Sequence, residues 1–147
     1  DGTKASMKQQ GQEQPVPEEM VKEMAITSHL FPELIYAEKG VKTNLKGIKT
    51  VKDSPAYEVE VIMPSGDKSL TYYDVKSGLK VRETSTEEGP TGPVSSSTDF
   101  GDYKEFNGIK FPQTITFPLG GGMTLKAEVK TIEINAATFD ATVFKID

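Results

Sequence analysis

Only one stretch of this 147-residue chain carries an apolar period close to that of an α-helix, and this restricts the fold more than any other feature. Residues 17–36 read PEEMVKEMAITSHLFPELIY. Pro17 suits the first helical position, where a missing N–H costs nothing. Glu18 and Glu19 follow in the first turn, where the helix dipole favours acids. Met20, Val21, Met24 and Phe31 fall within about 100° of one another at helical spacing, with Glu18, Lys22 and His29 opposite. Such a one-sided apolar stripe needs a sheet to lie on. Pro32 disfavours helical geometry at Phe31. The spacing therefore predicts a break there, then a short second turn over residues 32–36, closed near Gly40.

The rest of the chain reads as short strands and tight turns. Residues 2–12 are polar and predict a short edge strand ending at Gly11, with residues 12–16 linking it to the helix. After Gly40 the apolar period falls to about two. Residues 43–51 form a candidate strand, and Asp53-Ser54-Pro55 a turn. Tyr57, Val59 and Val61 alternate with Glu58 and Glu60, the clearest half-buried strand in the chain. Pro64-Ser65-Gly66-Asp67 turns the chain, and residues 68–75 return along it. Lys76-Ser77-Gly78 turns again, and a strand begun by Leu79 and Val81 dissolves into residues 83–88. Two Gly-Pro pairs in residues 89–97 predict a loop up to Pro93, with a strand from about Ser95 to Tyr103. Asn107-Gly108 is a two-residue hairpin signal. Residues 109–118 predict an edge strand, because they contain Pro112. Gly120-Gly121-Gly122 turns into a strand carrying Met123, Leu125, Ala127 and Val129 on one face. The apolar phase then slips to Ile132 and Ile134, which predicts a β-bulge near residues 130–131. Phe139, Val143, Phe144 and Ile146 are expected to dock the tail on the sheet. The sum is a single mainly-β α+β domain, about seven or eight antiparallel strands in a meander around one helix.

Composition excludes several functions. The formal net charge is −5, which argues against nucleic acid and against attachment to anionic lipid. The chain has no cysteine, so disulfides and thiolate chemistry are out. No apolar run reaches the roughly 18 residues of a membrane span, and no signal peptide is evident. Residue 1 is Asp, and the chain is expected to be a C-terminal piece of something longer.

Catalytic chemistry finds little support in the residues. A single histidine, His29, cannot supply the several ligands that zinc requires. Ser95, Ser96 and Ser97 lie in no nucleophile-elbow pattern. Gly120–Gly122 lacks the lysine of a phosphate-binding loop. Glu83, Glu87, Glu88, Asp99 and Asp102 match no calcium-loop spacing, and a solvated acidic face explains them better. The sequence names no catalytic residue, no metal ligand and no cofactor. Met20, Met24, Met63 and Met123 suit a core, and such side chains also line adaptable binding surfaces.

Several stretches together carry a resemblance. Asp1-Gly2-Thr3-Lys4 and Gln9-Gln10-Gly11-Gln12 precede the helix, and Phe31-Pro32-Glu33-Leu34 breaks it. Tyr72-Tyr73-Asp74 with Ser77-Gly78-Leu79 forms one hairpin. Asp102-Tyr103 with Asn107-Gly108-Ile109-Lys110-Phe111-Pro112 forms the next. In this order they resemble the bacterial lipoprotein-sorting carriers of the LolA/LolB type. They resemble still more the related domain at the C-terminal end of some insulinase-type (pitrilysin family) zinc peptidases. The resemblance implies an open, curved antiparallel half-barrel with helices on its concave face. It also implies a periplasmic or outer-membrane-facing location and a non-catalytic role in binding an apolar ligand or lipid chain. No catalytic residue carries over, because the peptidase zinc motif is absent, although the parent chain would be a zinc metallopeptidase. Met20, Met24, Ile26, Leu30, Phe31, Tyr73 and Phe111 are the expected apolar contacts, with Ile26 and Leu30 on an exposed apolar surface. The alternatives are a structural module that docks on the peptidase domains of its own chain and binds no lipid, and a small enzyme using the acidic cluster.

Overall fold

After Gly40 (φ 74°) the chain leaves helical geometry and becomes a succession of strands. A computed structural model describes residues 5, 7–9, 12–14, 16–89, 92–120 and 122–134. Two three-residue strands, β1 (Met7–Gln9) and β2 (Gln12–Gln14), pair with each other. Helix α1 (Glu18–Thr27) and a single 3-10 turn (Pro32–Leu34) follow. Then come β3 (Lys42–Val51), β4 (Ser54–Ile62), β5 (Lys68–Asp74), β6 (Lys80–Gly89) and β7 (Gly92–Gly101). The short hairpin β8 (Lys104–Phe106) and β9 (Ile109–Phe111) interrupts the series before β10 (Thr114–Gly120) and β11 (Met123–Glu128).

Seven strands form one antiparallel sheet in the order β11-β10-β7-β6-β5-β4-β3. It is a meander with the β8–β9 hairpin set aside as its own two-stranded sheet. Among the described residues the fold is mainly β with one α-helix, as the periodicity predicts, and the sheet is open, with β3 and β11 at its edges. Lys42, Lys46 and Lys49 on β3 discourage further strand pairing along that edge. The domain expected from the length divides into two compact units. One holds the described residues up to Lys42, the 63–67 turn and those from Glu133. The other holds residues 43–62 and 68–132, and so contains the sheet. Within it Val51, Ala56 and Val61 are buried, together with Thr71.

Turn chemistry explains most connections. Asn107 (φ 50°) and Gly108 (φ 81°) make the two-residue turn between β8 and β9. Asp74 accepts hydrogen bonds from the backbone N–H and the hydroxyl of Ser77, each at 2.7 Å, which closes the turn into Gly78. These bonds hold the Asp74 carboxyl below its usual range.

Elsewhere the sequence misleads. The β3–β4 turn is Lys52-Asp53, both left-handed (φ 48° and 66°), while Ser54 and Pro55 already belong to β4. The loop predicted up to Pro93 is shorter than expected, since β6 runs to Gly89 and β7 starts at Gly92, while the strand predicted from about Ser95 lies within β7. Pro93 is tolerated because β7 pairs with β10 only over Asp99–Gly101, so no ladder bond is owed at Pro93 on that side. Pro112 splits the strand predicted for residues 109–118 into β9 and β10. No bulge repairs residues 130–131, since β11 ends at Glu128; the irregularities lie at Tyr72/Tyr73 and Pro118/Gly120. Part of the linker expected over residues 12–16 is strand β2. The docking expected of Phe139, Val143, Phe144 and Ile146 lies outside the described residues.

The helix ends at Thr27, four residues before the break predicted at Phe31, and Phe31 before Pro32 is extended (φ −131°, ψ 78°). Pro17 stands one position earlier than expected, as the N-cap, and its carbonyl accepts the first helical bond from Val21 at 3.0 Å. The facing of α1 differs from the predicted stripe. Ile26 is the buried residue of the helix, 4% exposed, whereas Met20 and Met24 are each 44% exposed. The predicted stripe used Phe31 to set its phase, but α1 ends at Thr27, so Phe31 has no helical phase to contribute. Without it, Ile26 lies about 160° from Met24 and carries the buried side alone. Ile26→Ala is therefore expected to cost about 2–4 kcal/mol and Met24→Ala less than about 1 kcal/mol. Urea denaturation of both variants checks this, and equal losses would contradict the observed facing.

Candidate functional site

The register of the sheet sorts its side chains onto two unlike faces. One row crosses six strands in direct opposition: Glu58, Tyr72, Arg82, Asp99, Thr116 and Lys126. Side chains opposite one another share a face, so this row is a continuous polar band. The Tyr72 hydroxyl donates to Glu58 at 3.0 Å. Arg82 donates to both Asp99 oxygens, from Nε at 2.6 Å and from the guanidinium amino group at 3.2 Å. Lys52 adds a second cation to Asp99 at 3.1 Å. The flanking rows repeat the pattern with hydroxyls, Thr84 to Ser97 at 2.9 Å and Thr86 to Ser95 at 3.0 Å.

These contacts set the electrostatics. Partial burial pushes the Asp99 carboxyl up, but hydrogen bonds from Arg82 and Lys52 outweigh it and hold the group below the usual range. The Asp99 hydrogen bond raises Arg82 further. Partial burial, then the bond to Glu58, pushes the Tyr72 phenol up. Glu58 and Tyr72, and Arg82 and Asp99, are each partnered across strands, and these pairs hold the register. Ser95 and Ser97 are spent in the hydroxyl pairs. The N–H of Phe31 donates to His29 Nδ1 at 3.2 Å, so His29 serves the helix break. Among the described residues no three His, Asp or Glu side chains converge as metal ligands. Within the acidic set, Asp99 and Glu83 point to opposite faces, and Asp102 accepts from Thr114 at 2.6 Å.

The other face is mixed: Thr71, Glu83 and Thr98 stand opposite one another across its middle strands, as do Ser69, Ser85 and Ser96, and its apolar side chains lie mostly toward the outer strands. Tyr57 opposes Tyr73, Phe100 and Ala127 flank Ile115, and Phe117 opposes Leu125. Several of these are far from buried: Leu125 is 44% exposed and Met123, on the same strand face, 63%. The apolar residues expected from the sequence are not brought together in one unit. Met20, Met24, Ile26, Leu30 and Phe31 belong to the helical unit, Tyr73 and Phe111 to the sheet unit. Leu30 is exposed as expected, but Ile26 is buried and cannot line a surface. Phe31, Tyr73 and Phe111 are half-buried. Phe111 packs edge-on against Phe106, with ring centres 6.4 Å apart.

A cleft of about 460 Å³ opens where β7 ends, β10 begins and β11 ends. Gly101, Thr114 and Glu128 stand opposite one another at this corner. Pro112 ends β9, and Asp102 (φ 52°) turns the chain out of β7 in a conformation that non-glycine residues seldom adopt. Gln113 is clamped between the two strand ends: its N–H donates to Gly101 O at 3.1 Å, and its carbonyl accepts from Val129 N at 2.8 Å. Its side chain is buried, and its Nε2 has no acceptor. Glu128 accepts from Lys130 at 2.8 Å and pairs with Lys126 at 3.3 Å; these hydrogen bonds, with the charges behind them, hold its carboxyl below the usual range. Sequence reasoning missed this corner because it placed Gln113 inside one long strand. The available signal was Pro112, which cannot continue a ladder.

The chain matches no protein-family model, and comparison with curated proteins and with solved structures gives no significant match.

Asp99→Asn keeps the shape of the band and removes its central charge. The variant is expected to lose about 1–2 kcal/mol at neutral pH. Because the Asp99 pKa is depressed on folding, its contribution is complete above the ordinary Asp value near pH 4 and is lost as pH falls through the folded value below that. The stability gap between the two proteins should therefore narrow below about pH 4. Urea midpoints measured from pH 7 downward check this, and a gap that stays constant would contradict it.

Proposed function

We propose that this chain is a non-catalytic binding or accessory domain of the bacterial cell envelope, with the curved half-barrel form of the lipoprotein-sorting carriers. Its ligand is an apolar molecule or lipid chain received on the apolar face of the sheet. The observation that carries this reading is the division of the sheet into two faces. One face satisfies its polar groups across strands, while the other leaves Tyr57, Met123 and Leu125 substantially exposed. Met123 and Leu125, large exposed side chains on one face of β11 with Phe117 opposite Leu125, suit an interaction surface better than a solvated one. The polar band supplies structure without chemistry, which favours binding over catalysis. The motif order leading from the helix through the Asn107-Gly108 hairpin supports the half-barrel form and a parent chain of the insulinase-type peptidase class. No described helix is long and apolar enough to cross a membrane.

A fluorescent fatty acid titrated against the protein is expected to bind near the micromolar range, about −8 kcal/mol. Leu125→Lys, an exposed substitution on the apolar face, should weaken it about tenfold or more. A protein that binds no acyl chain but associates with peptidase domains would replace this reading with the structural-module alternative. Binding unaffected by Leu125→Lys would move the site off the sheet.

A further inference from the structure

We propose that the cleft at the β7–β10–β11 corner is a binding site for the carboxylate of a small organic acid, recognised by Gln113 and Lys104. This goes beyond the apolar-ligand reading. The cleft is lined by different residues from those of the apolar face, so either site can fail without the other.

Hydrogen-bond accounting at the cleft leaves donors in excess. Of its two carboxylates, Asp102 accepts from the Thr114 hydroxyl at 2.6 Å, and Glu128 holds both Lys126 and Lys130. Two donors remain. Gln113 is 8% exposed, and its Nε2 lies fully inside with no acceptor. Lys104 also lines the cleft, and its ammonium meets no carboxylate within ion-pair distance among the described residues. A buried donor left unpaired costs about 1–3 kcal/mol, so a partner that brings an acceptor is favoured.

The charge at the cleft narrows the class of that partner. Three lysines against two carboxylates leave one net positive charge among the lining residues. Water would serve the amide but leave that charge in place. A neutral amide ligand would do the same. A phosphate monoester carries nearly two negative charges at neutral pH and would face Asp102 and Glu128 as well. A carboxylate brings one negative charge and two acceptor oxygens on one carbon, enough for Gln113 and Lys104 together.

The size of the cleft narrows it again. About 460 Å³ falls in the range of small-molecule sites and exceeds what the carboxylate alone would fill. Val129, the apolar member of the lining, provides a surface for the organic part. The site is held in advance. Backbone bonds on both sides fix Gln113, and Asp102 keeps a left-handed conformation while bonded to Thr114. Rare backbone conformations of this kind collect at ligand sites, where the surrounding structure maintains them.

The test is an NMR titration of the 147-residue chain with sodium benzoate, benzamide and inorganic phosphate. Benzoate is expected to move the Gln113 side-chain amide signals saturably, while benzamide leaves them in place and phosphate binds more weakly. Lys104→Gln lies on an exposed position and should fold normally while weakening benzoate about tenfold. Gln113→Leu should abolish the benzoate-induced shifts of the backbone N–H signals of Thr114 and Val129, which the native chain is expected to show, in a protein at least as resistant to urea. Gln113 signals indifferent to benzoate would overturn the proposal. So would benzamide or phosphate binding as tightly as benzoate, or Lys104→Gln binding unchanged.

Discussion

The Arg82–Asp99 pair is the interaction on which the sheet most depends. It joins β6 to β7 at the centre of the seven-stranded sheet, and Lys52 reaches the same carboxylate from the β3–β4 turn. A slip of one residue in either strand would send one of the two charges to the apolar face, where it would lose its partner and its water. The pair therefore specifies register more than it adds stability, since a half-buried ion pair contributes little net free energy. Tyr72 and Glu58 extend the same row toward β4, and Thr116 and Lys126 extend it toward β11. Once that row is fixed, the alternation of every strand places Tyr57, Phe100, Ile115, Phe117 and Leu125 on the other side.

This division accounts for what each face can do. A face whose donors and acceptors are matched across strands has no unmet group to offer a substrate. The other face carries Thr71, Glu83 and Thr98 in its middle strands and aromatic and aliphatic side chains toward its outer ones, and those apolar parts gain free energy from any apolar surface laid on them. The corner cleft is the exception. There the sheet ends, the cross-strand matching stops, and Gln113 is left with a buried donor that no described neighbour meets, with the exposed Lys104 on the same cleft.

Short-range physics was legible in the sequence, and long-range pairing was not. Asn107-Gly108 announced its hairpin because few other residue pairs tolerate two left-handed positions. Lys52-Asp53 adopts a comparable turn without a glycine, so nothing local marked it. Pro32 keeps Phe31 out of helical geometry, but the helix already stops at Thr27, and the facing of α1 was misjudged because Phe31 was counted into it. Pro93 looked like a strand breaker, and it is harmless because β10 does not reach it. The antiparallel meander was expected from the alternation of residues 57–61 and 123–129 and from the short turns between strands. The polar row was out of reach, since it depends on the register of six strands at once. Gln113 was invisible for the same reason: only the meeting of β7, β10 and β11 turns an ordinary polar residue into a buried, unmatched one.

Methyl NMR offers the most direct test of the claim that the two faces have different roles. With a fatty acid bound, nuclear Overhauser contacts from the acyl chain should reach the methyl groups of Ile115 and Leu125. The methyl groups of Thr84 and Thr116, on the polar face of the same sheet, should show none. Acyl contacts to the threonine methyl groups, or to neither set, would contradict the account.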